Sequence, residues 1–129
     1  GILATDSYQQ IRTDMKELYS AIGQEVVKYG DHVERYDAQT SVSRFNPNIV
    51  IAAWVTHKYN MKRHYSEGNA WGVNEHYIIE RVDKYIFIGN EDVHKKKPIL
   101  EKGHGTFKAE WLYSRSLKRD RNVIWTWAK

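Results

Sequence analysis

The chain has 129 residues and a mean hydropathy of −0.71, and no apolar run approaches the roughly 18 residues that a membrane-crossing helix needs. Cysteine is absent, which excludes disulfide scaffolds, Cys-based zinc sites and thiol nucleophiles and leaves the compartment open. The formal net charge of +4 is unevenly placed: 5 Lys/Arg against 7 Asp/Glu in residues 1–46 give −2, and the remaining 15 against 9 give +6. The basic region is the C-terminal one, and it points to an acidic partner.

The length fits a single domain, 1–129, in which residues 1–46 read as helical and residues 47–129 as β, divided at Asn46-Pro47. No charged-then-apolar leader is visible. A start at Gly1 rather than Met is what a processed product or an excised domain would show.

In chain order, Ser7 with Gln10 three residues on fits a capping box, and Asp6 adds a favourable charge at a helix start. Tyr8, Ile11, Met15, Leu18 and Ile22 recur at spacings of three and four, which makes one apolar stripe. Val26, Val27, Tyr29, Val33 and Tyr36 prolong it across Gly23 and Gly30. The spacing predicts a helix over about 7–29 and a turn or short helix over about 31–38. The stripe packs on a sheet or forms a coiled-coil seam. Residues 40–48 read as a polar loop closed by Asn46-Pro47.

From Ile49 to Met61 the pattern turns β-rich, and both faces are apolar at its start. Ser66-Glu67-Gly68-Asn69 is the clearest turn signal. A second β-rich run extends from Trp71 to Ile88. Within it, residues 74–84 also fit a helix through Ile78, Val82 and the Glu80/Lys84 spacing, but β-branched and tyrosine content favours strand. Lys95-Lys96-Lys97-Pro98 reads as a solvated loop. Residues 106–116 and 122–128 read as strands joined by the charged turn Lys118-Arg119-Asp120-Arg121.

These elements predict an α+β fold: a long N-terminal helix, or two helices, on a curved antiparallel sheet of four to five strands. A 13-residue strand normally curves, and a curved sheet wrapped on a helix makes a cone. That architecture resembles cystatin-like and nuclear-transport-factor-like domains, although no family motif matches residue by residue.

No catalytic or ligand motif of high specificity is present. If the turn at 66–69 pairs Tyr65 with Ala70, then His57, Tyr59, His76 and Glu80 share one sheet face. His57, His76 and Glu80 would then supply a general base and acid for a small isomerase, dehydratase or hydrolase. The competing reading is two half-exposed histidines at a polar strand end. The same trio carries no metal-site spacing, and neither metal nor cofactor is expected. The opposite face of that hairpin carries Trp54, Lys58, Lys62, His64, Trp71 and Tyr77, the interleaving of basic and stackable groups that a sequence-tolerant nucleic-acid surface uses. Gly103-His104-Gly105 lacks the glycines and the Lys-Ser/Thr pair of a phosphate loop.

Tyr and Trp exceed what a core of this size must hold, and such residues dominate interface hot spots. The leading expectation is therefore a non-catalytic interaction or assembly domain. It works as a homo-oligomer or within a larger complex such as a secretion or conjugation apparatus or a virion. Its contacts are expected at the helix stripe (Ile11, Met15, Leu18, Ile22) and at the last strand (Trp125, Trp127). A terminal strand apolar on both sides is either central or meets another subunit.

Overall fold

The computed structural model describes every residue of the chain except 27, 115 and 117, and of Arg119 only the backbone. The fold is α+β and resolves into two compact units, Gly1–Arg44 and Phe45–Lys129.

The first unit opens with β1 (Ala4–Asp6) and continues through a short 3-10 turn (Gln9–Ile11) into α1 (Thr13–Ala21). The chain then returns as β2 (Val33–Arg35), parallel to β1, with Thr5 opposite Glu34. α2 (Ala38–Phe45) follows. The expected capping box is replaced by a tighter device. The Asp6 carboxylate accepts the Tyr8 N–H at 2.7 Å, and Tyr8 takes a left-handed φ of 61°. The Tyr8 ring stacks on Tyr29 at 4.1 Å, and its hydroxyl donates to the Val33 carbonyl.

The long helix over 7–29 is not formed. α1 ends at Ile22, where Gly23 adopts φ 73°, the Gly23 N–H donates to the Ser20 carbonyl and the Gln24 N–H to the Tyr19 carbonyl. That bond pair is a Schellman stop, and glycine enters the left-handed region without a Cβ penalty. Val27, which the extended stripe included, lies outside the described residues. The loop expected over 40–48 is largely helix instead. Asp37 accepts the Thr40 N–H at 2.8 Å and the Thr40 hydroxyl at 2.9 Å, an N-cap that starts α2.

The second unit is built on a four-stranded sheet: β3 (Ile49–Ala53), β4 (Lys84–Asn90), β5 (Gly105–Phe107) and β6 (Asn122–Ala128), in the order β3-β4-β6-β5. β3 and β4 are parallel, joined by a crossover that holds α3 (Glu75–Arg81). β6 is antiparallel to both β4 and β5. The sheet is therefore mixed, not the antiparallel sheet of the cone expectation.

Residues 75–81 are helical where strand was favoured. Asn74 caps the helix by accepting the Tyr77 N–H, Glu75 sits in its first turn, and Ile78 and Val82 share one buried side. That apolar spacing of four outweighs the β propensity of the stretch. The strand expected over 106–116 stops at Phe107, and its Arg115 lies outside the described residues.

One sheet face forms the core. Tyr85 lies directly opposite Trp127 and Phe87 opposite Trp125. Their rings stack at 5.7 Å and 5.9 Å. Burying each such ring contributes about 1.5–3 kcal/mol, with about 0.5–1.5 kcal/mol more for each aromatic pair. The Trp127 indole N–H donates to the Ile99 carbonyl at 3.1 Å, tying the 3-10 turn Pro98–Glu101 to the sheet.

Candidate functional site

The other sheet face is the first candidate. Strand alternation and register put Ile51, Ile86, Thr126 and Gly105 in one row across four strands, and Ala53, Ile88, Ile124 and Phe107 in the next. Neither row holds a charge. Ile49, Ile51 and Phe107 are 56%, 66% and 53% exposed, and Ile86, Ile88 and Ile124 are half-buried. One end of this face is closed by polar bonds: the Asn90 side-chain amide donates to the side-chain Oδ1 of Asn122 at 3.0 Å, and the Ser114 hydroxyl donates to the same atom at 2.8 Å. At the other end the face closes with the row Ile49, Lys84 and Ala128, in which Lys84 is charged and exposed.

The second candidate is the segment 54–73 between β3 and α3. It is folded on itself. The Lys58 N–H donates to the Val73 carbonyl at 3.0 Å, the Val73 N–H to Thr56 at 2.8 Å and the Tyr59 N–H to Asn69 at 2.9 Å. The His57 ring reaches the Ser66 carbonyl at 2.5 Å. Gly72 lies so close to the His57 and Lys58 backbone that an added Cβ would stand 2.1 Å from the His57 carbonyl oxygen. On this frame Trp54, Lys58, Tyr59, Lys62, His64, Tyr65 and Trp71 are all exposed.

The third candidate is a buried polar cluster under the same segment. Lys97 bonds the Glu75 carboxylate at 2.5 Å and the Val55 carbonyl at 2.9 Å, and both charged residues are only 2% exposed. The Tyr85 hydroxyl donates to the bonded Glu75 oxygen at 3.2 Å, while Oε2 of Glu75 has no hydrogen-bond partner among the described residues. Burial pushes the Glu75 carboxyl up against the pull of Lys97, and pushes the Lys97 ammonium down against the pull of Glu75. His94 lies alongside, edge-on to Trp54 at 4.9 Å and to Phe87 at 4.8 Å. Lys97 caps the Phe87 ring at 4.3 Å.

The trio His57, His76 and Glu80 is not placed as the hairpin register required. His57 bridges to Val73, whereas His76 and Glu80 stand one helical turn apart on α3. Burial, with Lys102 nearby, pushes the His76 imidazole down, and Glu80 opposes it. Glu67, Glu75 and His94 all lie within electrostatic reach of His57. Among the described residues no group of three His, Asp or Glu is arranged to hold a metal ion.

The nucleic-acid set fares differently. Trp54, Lys58, Lys62, His64 and Trp71 all belong to the folded segment 54–73, though not to a hairpin, and Tyr77 lies on α3 instead. Of the interface set, Trp125 and Trp127 are buried in an inner strand, so they are core. Ile11, Leu18 and Ile22 are exposed and Met15 half-buried, and α1 buries none of its residues.

Sequence reading missed Glu75, Lys97 and the open aliphatic face. Lys97 is hidden in a run of three lysines whose other two members are exposed. The aliphatic face follows only once β3 is known to pair with β4. Among the described residues, no helix is long and apolar enough to cross a membrane. The chain matches no family model, no curated protein and no solved structure.

Proposed function

We propose that the chain is an assembly protein that joins a second copy of itself through the open aliphatic face of its four-stranded sheet. The observation that carries this reading is the pair of uncharged rows at Ile51 and Ala53, with Ile49, Ile51 and Phe107 more than half exposed. Such side chains leave roughly 300–400 Å² of apolar surface in water, the size of the largest apolar patch on a typical monomer, which is often a functional one. A stable interface covers about 800 Å² per partner, so the patch serves as its core and neighbouring polar residues as its rim.

Charge within the two rows does not oppose a second copy. A chain of net charge +4 repels its own kind wherever like charges meet, and the two rows bring none together. Two such faces stack about 10 Å apart as a sandwich, each aliphatic row lying on its symmetry mate.

Two exposed positions separate this contact from the α1 stripe. Ile51→Lys is expected to convert the assembly to monomer, and Leu18→Lys to leave it intact, as read by size-exclusion chromatography with light scattering. Dissociation by Leu18→Lys with none by Ile51→Lys would move the contact off the sheet and overturn the reading.

A further inference from the structure

We infer that the segment 54–73 is a binding platform for single-stranded nucleic acid, independent of the aliphatic face. Three properties of the segment converge on that ligand.

The first is stacking surface. Trp71 and Tyr65 are 58% and 70% exposed, and Trp54 and Tyr59, which lean on His94 and His64, still show more than a third of their surface. Aromatic rings left in water on a soluble protein lose the burial that normally stabilises them. Every nucleobase has a π-face that restores it, without regard to sequence. Tyr65 already carries the Arg63 guanidinium 5.5 Å from its ring centroid, and an arginine plane in that position extends the platform.

The second is uncompensated positive charge. Among the described residues, Arg63 is paired with Glu101 and Lys96 with Glu67, whereas no carboxylate pairs with Lys58 or Lys62. Both lysines are exposed and lie on the segment that carries the rings. The unit that holds the segment has 15 Lys/Arg against 9 Asp/Glu. A phosphate backbone supplies the missing anions at regular spacing.

The third is preorganisation. Trp71 sits in the short arc between Asn69 and Val73, and the backbone of Lys58 and Tyr59 bonds both ends of that arc. The backbone stretches that carry Trp71 and Lys58 are therefore fixed to one another before any ligand arrives, which lowers the ordering cost of binding. Duplex is the poorer fit. A major groove is read by an inserted helix or two-stranded ribbon, and this segment has one 3-10 turn, His64–Ser66.

The experiment is a fluorescence titration of the full chain with 20-mer oligo(dT) and oligo(U), with duplex DNA and anionic phosphatidylserine vesicles as competing arms. The expected result is tryptophan quenching by both single strands. Neutralising two phosphates predicts affinity falling about sevenfold between 50 and 200 mM salt. Trp71→Ala is expected to weaken binding tenfold or more, and Lys58→Ala with Lys62→Ala to flatten the salt dependence. All three positions are exposed, and circular dichroism checks that each variant is folded. Three results would each overturn the inference: no quenching by either oligonucleotide at low salt, binding that ignores Trp71 and both lysines, or binding to vesicles alone.

Discussion

The Lys97 ammonium lies 2.5 Å from the Glu75 carboxylate at a point where neither side chain reaches water. Bringing the pair there costs several kcal/mol of desolvation per ion, offset by their attraction and by the bonds from Lys97 to Val55 and from Tyr85 to Glu75. The pair links three places far apart in sequence: the start of α3, the end of β3 and the turn after α4 (Glu91–His94).

Removing one partner strands the other. Lys97→Met is expected to lose about 3–5 kcal/mol of unfolding free energy, because a buried carboxylate is left without a counter-charge and, among the described residues, with only the Tyr85 hydroxyl bonded to it. Glu75→Leu combined with Lys97→Met is expected to recover most of that loss, since an apolar pair needs no compensation. Urea denaturation of the two variants measures both. A double variant no more stable than Lys97→Met would mean that the pair specifies the packing around it rather than merely neutralising itself.

His94 gives a pH dependence with a defined sign. Its Nδ1 accepts the Asn90 N–H at 3.0 Å, and burial, with Lys97 close by, pushes the imidazole down to about 4 from 6.5. The unfolded chain takes up the proton below about pH 6.5, while the folded chain stays neutral until about pH 4. The stabilisation is therefore complete above about pH 6.5 and is lost progressively as pH falls towards about 4, by about 3 kcal/mol in total. Glu75, with its raised carboxyl, acts in the opposite direction in the acid range. The difference between wild type and His94→Gln isolates the histidine. That difference is expected to shrink between pH 6.5 and 4 in thermal or urea unfolding.

Gly72 and Gly68 fix the segment 54–73. A Cβ on Gly72 would stand 2.1 Å from the His57 carbonyl oxygen, and one on Gly68, where φ is 93°, 2.5 Å from the same atom. These are backbone contacts, and a rotamer change cannot relieve them. Gly72→Ala is expected to open the segment at a cost of about 1–3 kcal/mol, seen as faster proteolysis between residues 54 and 73 while β4 and β6 stay protected from hydrogen exchange. Equal protection throughout the segment in wild type and variant would show that the backbone adjusts.

The sequence-level reading reached the coarse architecture through local signals. The α+β class is as expected, and 122–128 is a strand, as its β-branched and aromatic run implied. It missed where tertiary partners or short capping signals decide. Residues 74–84 hold both a β-rich composition and an Asn-capped helical spacing, and only packing of Ile78 and Val82 chooses between them. α1 stops at Gly23 because that glycine takes the left-handed φ of a Schellman stop, a signal the apolar spacing outweighed in the sequence. The hairpin register failed for the same cause: once α3 forms, His57 meets Val73 and not Ile78. Trp125 and Trp127 looked like an interface because composition cannot tell an inner strand from an edge. Lys58, Lys62 and Trp71 fall on one folded segment, 54–73, simply because they are close in sequence.

The assembly reading is tested most directly by the absolute mass of the wild-type chain in solution, by light scattering at low and high salt across a concentration series. An aliphatic contact predicts a mass of twice 15.2 kDa that persists or strengthens at high salt, because apolar burial is insensitive to screening and like-charge repulsion is reduced. A monomer of 15.2 kDa at every concentration and both salts would contradict it.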